Sequence, residues 1–529
     1  TEPETRRGRV GRRVHPGALT GGPAPGHVQG ASPLTDGAAE LFKKRRMRIR
    51  TFIVVVCIVG ALLIMASPLP EGLSEGGRRT LIVSIVMAAL WMTEALPLFV
   101  TALFPLIAFP LAGIAALGVV SQAYAHPLVM LFMGGFMLAA AMQRWQLHRR
   151  VAVMALRLAG SRPDMQILAI MIVTAFLSMW ISNTATTMVM MPIGLAILSI
   201  DRQGEAASGA SNGALDEEPS GSGEPSGAAT ALMLGIAYAA TIGGMGSLIG
   251  TPPNALFAGF VEKTYGVSIG FAQWMLLGVP MVVVLLPLTW LLLTRVSFKM
   301  GSRVAPASVR LEDLPALSAG QRIVATILIL VALAWIVRPL LSDWLDWPGL
   351  TDAGIALTGV VALFSVPRSL ANGTPVLTWE DVKKIRWDVL ILFGGGLALA
   401  DAIQATGLAG WIAGGATELA NIPIAAFILV MMVIIVYLGE LASNTAMAAI
   451  FLPIAAASAV ALNTEPLTLL VPVALAASLG FMLPVATPPN AIVYGSGAVK
   501  SSDMLTAGAI LDVLSIAVVF VLSMVLFPI

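Results

Sequence analysis

Residues 178–193, SMWISNTATTMVMMPI, and residues 439–454, GELASNTAMAAIFLPI, each set the tripeptide Ser-Asn-Thr inside a long apolar run. Ser182-Asn183-Thr184 and Ser443-Asn444-Thr445 bring small polar side chains and no charge, and a proline follows ten residues after each serine, at Pro192 and Pro453. A second motif recurs downstream of each: Thr251-Pro252-Pro253-Asn254 and Thr487-Pro488-Pro489-Asn490. Polar interruptions at matching places in two halves of an apolar chain point to a transporter-type binding site.

The two halves align at a constant offset. LFMGGFMLAAAMQ at 131–143 lies over LFGGGLALADAIQ at 392–404, a shift of 261, and the same shift superposes the tripeptides and their prolines. The Thr-Pro-Pro-Asn motifs differ by 236, because 69 residues separate the motifs in the first half and 44 in the second. The excess of 25 is close to the length of the stretch 201–229, which is acidic, rich in Gly and Ser and without periodicity. It reads as a flexible loop inserted in one half, with no site of its own.

Composition fixes the solvent. The chain is 57% hydrophobic and 11% charged with a mean hydropathy of +0.88, whereas soluble domains carry about 25% charged residues. The fold class is an all-α polytopic membrane protein. Eleven transmembrane helices are expected near 51–66, 79–93, 95–118, 127–145, 229–262, 271–294, 322–342, 352–366, 387–408, 466–497 and 508–528. Two further runs, 165–200 and 424–461, are too long for one straight span and hold Ser-Asn-Thr near their middles. They are expected to be re-entrant helical hairpins, tolerated where protein or water satisfies the tip. An odd number of spans between equivalent points makes the two repeats inverted.

Residues 1–50, rich in Gly, Pro and Arg, are expected to be a disordered, basic, cytoplasmic segment ending in KKRRMRIR. They are too polar for a signal peptide, and a chain opening on Thr1 is read as lacking its natural start. The loops at 143–164, 295–322 and 367–388 carry five, five and four Lys or Arg on the side of that segment. The opposite side receives Arg78, Arg79, Lys263 and Arg338. The asymmetry places the N-terminus inside and the C-terminus outside a cell (inner or plasma) membrane. Cys57 stands alone, which excludes an internal disulfide, and the four histidines show no zinc-binding spacing.

A hairpin tip and a broken helix both leave backbone groups without helical partners. Carbonyl, hydroxyl and amide oxygens make a hard cage for an alkali cation, while helix N-termini and the donors of Asn and Thr suit an anion. Proline after Thr251 and Thr487 is expected to stop the hydrogen-bond ladder there. No Arg or Lys lies near either motif in sequence, so the anion is expected to be held by neutral donors, helix ends and co-bound cations.

These residues resemble the divalent-anion:sodium symporters, which carry dicarboxylates, citrate or sulfate. The likeness covers nearly the whole chain after residue 50, and the doubled Ser-Asn-Thr is its most specific mark. The resemblance implies a homodimer with a fixed scaffold and a transport domain that slides like an elevator. Scaffold helices would be 51–126 and 263–385. The transport halves would be 127–262 and 386–529, each with its hairpin and broken helix, the second also carrying the last span. It implies that Asn183, Thr184, Asn444 and Thr445 hold the substrate carboxylates, helped by Thr251, Thr487 and Pro488. It places a first Na+ site at Ser178, Ser182, Asn183 and the carbonyl of Gly250. A second would use Ala442, Asn444, the carbonyl of Ala486 and the backbone of Gly439. The family's second site can use a threonine where this chain has Gly439, while the equivalent residue of the first half is Ser178. The first sodium site is therefore expected to be the stronger.

Three acids fall in or near apolar runs, where a charge costs at least about 2.5 kcal/mol at mid-bilayer on insertion scales. Glu440, three residues before Ser443, is expected to tune that site or take a proton; Glu94 and Asp401 are lesser candidates. Neither H-E-x-x-H nor G-x-x-x-x-G-K-[ST] occurs, so the chain is read as no enzyme and as needing no organic cofactor. The expected partners are a small anion, the bilayer and a second copy of the chain, with no nucleic acid. The expected function is sodium-driven transport of dicarboxylates of the succinate, malate or fumarate kind. A sodium-independent dicarboxylate or citrate exchanger on the same scaffold is the alternative.

Overall fold

Apolar segments with no water to satisfy their backbone close their hydrogen bonds internally, and the apolar runs among the described residues do so by forming helices. The computed structural model describes residues 36–159, 162–195, 227–298, 316–345, 349–367, 373–415 and 422–526. In the first half these are α1 (Asp36–Ala66), α2 (Glu75–Thr93), α3 (Leu98–Thr101), α4 (Phe104–Leu111), α5 (Leu117–Gln122), α6 (Pro127–Arg144), α7 (Leu147–Ala159), α8 (Pro163–Ser178), α9 (183–195), α10 (Gly227–Gly244) and α11 (Pro252–Tyr265). They continue with α12 (Phe271–Leu291), α13 (Ala319–Leu345), α14 (Asp352–Ser365), α15 (Trp379–Val382), α16 (Trp387–Ala405), α17 (Leu408–Gly415), α18 (Ile424–Gly439), α19 (Asn444–Ala461), α20 (Pro466–Ala476), α21 (Pro488–Gly495) and α22 (Ser501–Leu526).

Among the described residues, eight helical stretches are long and apolar enough to cross a membrane, and five shorter apolar ones accompany them. The short set includes α8, α18 and α20, which belong to the two hairpins and the second broken helix. Two expected features change. The helix of the first span begins at Asp36, so residues 36–50 are helical rather than disordered; 1–35 lie outside the described residues, as does 196–226 of the expected flexible loop. The segment 95–118 is not one span. Glu94 ends α2 with a left-handed backbone at φ 48°, Pro97 caps α3, and Pro105 opens α4. A proline every few residues removes the N–H groups that a continuous helix needs.

Both tripeptides lie where the sequence places them. A turn over 179–182 joins α8 to α9, which starts on Asn183, and a turn over 440–443 joins α18 to α19, which starts on Asn444. Both Thr-Pro-Pro-Asn motifs restart a broken helix. Their prolines do not make the break, however: Pro252 and Pro488 occupy the first turn of the second helix, where a missing N–H leaves nothing unpaired. The ladder fails upstream, over 245–251 and 477–487.

Each break is tied by the asparagine that closes its motif. The Asn254 amide donates to the carbonyls of Gly244 (3.2 Å) and Ser247 (2.8 Å), ten and seven residues back. The Asn490 amide donates to Gly480 (3.4 Å) and Leu483 (3.0 Å), again ten and seven residues back. Both asparagines are fully buried, so these bonds stand in for the water that would otherwise solvate loop carbonyls.

The core sits around the broken helices. α10 packs against α8, α12 and α21, and α20 packs against α18, α19 and α22. Asp352 fastens a neighbouring group of helices: its Oδ2 accepts from the Phe271 N–H (2.8 Å) at the start of α12, and its Oδ1 pairs with Arg338 Nε (2.6 Å) of α13.

Candidate functional site

Four helix starts meet in one cavity. Asn183, Pro252, Asn444 and Pro488, the first residues of α9, α11, α19 and α21, all line a space of about 930 Å³. Each start presents the positive end of a helix dipole, and α9 and α19, which open on Asn-Thr rather than Pro-Pro, also bring first-turn N–H groups that have no partner within the helix. Thr184, Thr445, Thr251 and Thr487 line the same space, with Ser182, Ser443, Gly250, Ala442 and Ala486 beside them. Nine of these positions are the substrate and carbonyl residues read from the sequence, and the fold brings them to a single cavity.

The first tripeptide sits on a knot of oxygens. Fully buried Ser178 donates to the Ala240 carbonyl (2.6 Å), and its Oγ lies 2.7 Å from the Asn183 carboxamide oxygen. That oxygen faces only acceptors. Turned over, the Asn183 amide nitrogen donates to Ser178 Oγ (2.7 Å), Ala240 O (3.1 Å) and Gly250 O (3.3 Å). In that orientation the amide nitrogen satisfies all three oxygens; with its oxygen inward, Asn183 would join them in an oxygen-only set that a small cation would satisfy in place of the amide donor. An oxygen-only donor set is what a small hard cation requires, so Ser178, Asn183 and Gly250 fit Na+. The density of the knot depends on two glycines: a Cβ on Gly244 would overlap Asn183 Oδ1, and one on Gly250 would overlap the Gly244 carbonyl. Ala240 is a contributor that the sequence reading missed; only the packing of α10 on α8 reveals it. Ser182 is placed differently from its partners, its Oγ accepting from the Ala185 N–H (3.4 Å) as a cap of α9.

The second half is looser. Among the described residues, Asn444 Oδ1 is buried with no donor, and Ala442 and Ala486 reach the cavity wall. Gly439 ends α18 and offers no hydroxyl; a Cβ there would have only ordinary contacts, the nearest being Met447 at 3.7 Å. The two threonines also differ. Thr487 caps α21 by accepting from the Asn490 N–H (3.3 Å), whereas Thr251 makes no cap bond.

Glu440 lies behind the tip and does not line the cavity. Its carboxylate accepts from the backbone N–H groups of Met482 (2.9 Å) and Leu483 (2.8 Å), tying the second hairpin to the second break. In the first half, the Ser247 hydroxyl donates to the Met179 carbonyl at the equivalent positions. Asp401 pairs with Lys263 (3.4 Å) between α16 and α11, which accounts for its charge.

The cavity is not free of cations, as the local sequence implied. Arg386 lines it, held by Asp388 through three bonds of 2.8–3.2 Å, and Glu94 lines it too. These residues come from the start of α16 and the end of α2, far from either motif in sequence, so only the tertiary structure shows them.

A family model described as the sodium:sulfate symporter transmembrane region matches residues 47–529. The chain is 38% identical over 485 residues to the sodium-dependent dicarboxylate transporter SdcS of Staphylococcus saprophyticus, covering 90% of this chain and 91% of that one. It is 37% identical over 496 residues to SdcS of Staphylococcus aureus strain MRSA252, covering 92% and 93%. Its fold is similar to the crystal structure of the Alcanivorax borkumensis YdaH transporter, with a TM-score of 0.52 at 13% identity over 91% of this chain and 98% of that one. A site of paired Ser-Asn-Thr tips and paired broken helices thus stands in a chain that belongs to the sodium:sulfate symporter family, the divalent-anion:sodium symporters.

Proposed function

We infer that this membrane protein is a sodium-coupled carrier of dicarboxylates such as succinate, malate and fumarate. One observation carries the reading: four helix N-termini and both Ser-Asn-Thr tips line a single cavity, and at its first-half wall Asn183 meets the oxygens of Ser178, Ala240 and Gly250. The relatives named for sodium-dependent dicarboxylate transport support it. Asn183, Thr184, Asn444 and Thr445 would receive the two carboxylates, with Thr251, Thr487 and Pro488 completing the wall. Ser178, Asn183 and the Gly250 carbonyl would bind the first co-transported Na+, joined by the Ala240 carbonyl. Ala442, Asn444, Ala486 and the Gly439 backbone would form a weaker second site. Neutral donors suit a carrier, because the anion's charge is offset by sodium that binds and leaves with it.

In this proposal α8–α9 and α18–α19 are re-entrant hairpins of inverted repeats, and the N-terminus faces the cytoplasm. The chain works as a homodimer whose transport halves, 127–262 and 386–529, move past the scaffold helices as an elevator. The internal offset and the positive loops of the sequence support these points.

Uptake of labelled succinate into proteoliposomes tests the reading. Accumulation driven by an inward sodium gradient is expected, with competition by malate and fumarate. Uptake that requires internal dicarboxylate and ignores sodium would establish the exchanger instead.

A further inference from the structure

A second cavity adjoins the first. Its volume of about 440 Å³ is ordinary for a small-molecule site, and Phe136, Ser182, Thr184 and Arg386 line both spaces. The two differ in charge. Two acids, Glu94 and Asp388, face one cation, Arg386, around the first cavity, a formal balance of −1. Three cations, Arg144, Lys384 and Arg386, face one acid, Asp381, around the second, a balance of +2. That acid is already engaged: Asp381 accepts from the Thr378 N–H (2.9 Å) and hydroxyl (2.6 Å) and pairs with Arg144. The cations between α15 and α16 are answered unequally. Lys383 pairs with Glu380, and Arg386 commits Nε and Nη2 to Asp388. Among the described residues no group accepts from the Lys384 ammonium or from Nη1 of Arg386.

A cleft lined by charges of one sign concentrates the opposite ion. We propose that the second cavity is a vestibule site for a small dianion, a dicarboxylate, held by Lys384 and the uncommitted edge of Arg386 without sodium. The same dianion meets a net negative lining in the first cavity until Na+ offsets Glu94 and Asp388. It is therefore captured in the vestibule first and passes the shared hydroxyls of Ser182 and Thr184 to reach the tips once sodium has bound. Arg144 and Lys384 belong to the positive loops that face the cytoplasm in the proposed orientation, so the vestibule serves that face. The order of capture rests on the function proposed above; sodium-free binding of the dianion rests on the vestibule alone.

Saturation-transfer NMR of succinate with the purified full-length protein in sodium-free potassium buffer tests the site. The parent is expected to give a saturable signal. Lys384→Gln is expected to weaken the apparent affinity by about two- to fivefold, the range of one exposed charge contact. Lys384→Glu is expected to weaken it further, and Lys384→Arg to match the parent. Lys384 is solvent-exposed, so these substitutions leave the fold intact. Raising KCl from about 0.1 M to about 1 M, which shortens the screening length from about 10 Å to about 3 Å, is expected to weaken binding too. Asn444→Ala alters the first cavity and not the second, and is expected to keep the sodium-free signal. The proposal is overturned if the parent gives no saturable signal without sodium, or if Lys384→Gln and Lys384→Glu both bind as the parent does. Binding that ignores salt overturns it as well, and so does loss of the signal in Asn444→Ala, which would put the anion at the tips. A parent that shows this binding but no sodium-driven uptake would overturn the carrier reading and uphold the vestibule.

Discussion

Phe132 and Phe393 meet edge to face, with ring centroids 4.9 Å apart and an interplanar angle of 75°. They are 261 residues apart and occupy equivalent places in the two repeats. Their contact joins the two halves of the sequence repeat beside the cavity that Phe132 lines. Replacing either by Ala is expected to lower stability by several kcal/mol, typically ~3–5 for a buried Phe. A double-mutant cycle on purified protein is expected to give a coupling of about 0.5–1.5 kcal/mol. Zero coupling would mean that the rings touch without supporting each other.

Asn183→Ala and Asn444→Ala remove the amides at the two tips. Each is expected to cut succinate uptake by more than about tenfold, the cost of losing a hydrogen bond to a charged ligand, while the purified protein keeps its elution volume and melting temperature. Near-normal uptake by either variant would remove its tip from the site.

Asn254→Ala and Asn490→Ala strand buried carbonyls, each worth about 1–3 kcal/mol when left unpaired. Asn254 also approaches Met245 O at 3.5 Å, so its loss is expected to be the more destabilising of the two. Thermal unfolding of the two variants checks the order, and equal losses would show that the third contact contributes nothing.

Gly439→Ser returns a hydroxyl to the second half where a Cβ meets only ordinary contacts. The sodium concentration for half-maximal uptake is expected to fall by several-fold, with substrate affinity following through linkage. A sodium curve that coincides with the parent's would place Gly439 outside any cation site.

Asp381, in the short helix α15, carries a pKa below the ordinary carboxylate value. Burial opposes its charge, but the Thr378 hydroxyl and amide and the Arg144 guanidinium outweigh that. A depressed folded-state pKa gives stability that is present above the unfolded value and is lost as pH falls through the folded one. Acid unfolding of the parent is therefore expected to steepen below the ordinary Asp range, and Arg144→Ala to make that limb shallower. An unchanged acid limb in Arg144→Ala would show that the pair adds nothing to stability.

Much of this protein was legible in one dimension. Its composition excluded water as the solvent of the core, and the offset of 261 paired Ser178 with Gly439 and Phe132 with Phe393 before any coordinates. Both tips fell where the polar tripeptides interrupt apolar runs, because a polar group in hydrocarbon must be at a helix end or in a cavity. Proline misled twice, since its effect depends on position. In 95–118 it divides a run that hydropathy alone reads as one span, whereas at Pro252 and Pro488 it starts a helix.

What sequence by itself determined was the membrane setting, the repeat and the identity of the tips, all of which rest on local solvation and periodicity. Tertiary structure decided the rest. It brought Ala240 to Ser178 and Asn183, and Arg386 and Glu94 to the cavity, each from an element remote in the chain. The physical reason is the range of the forces involved. Hydropathy and capping act over one helical turn, but a cluster of oxygens or a binding cavity is made only when helices from separate segments pack within hydrogen-bond distance.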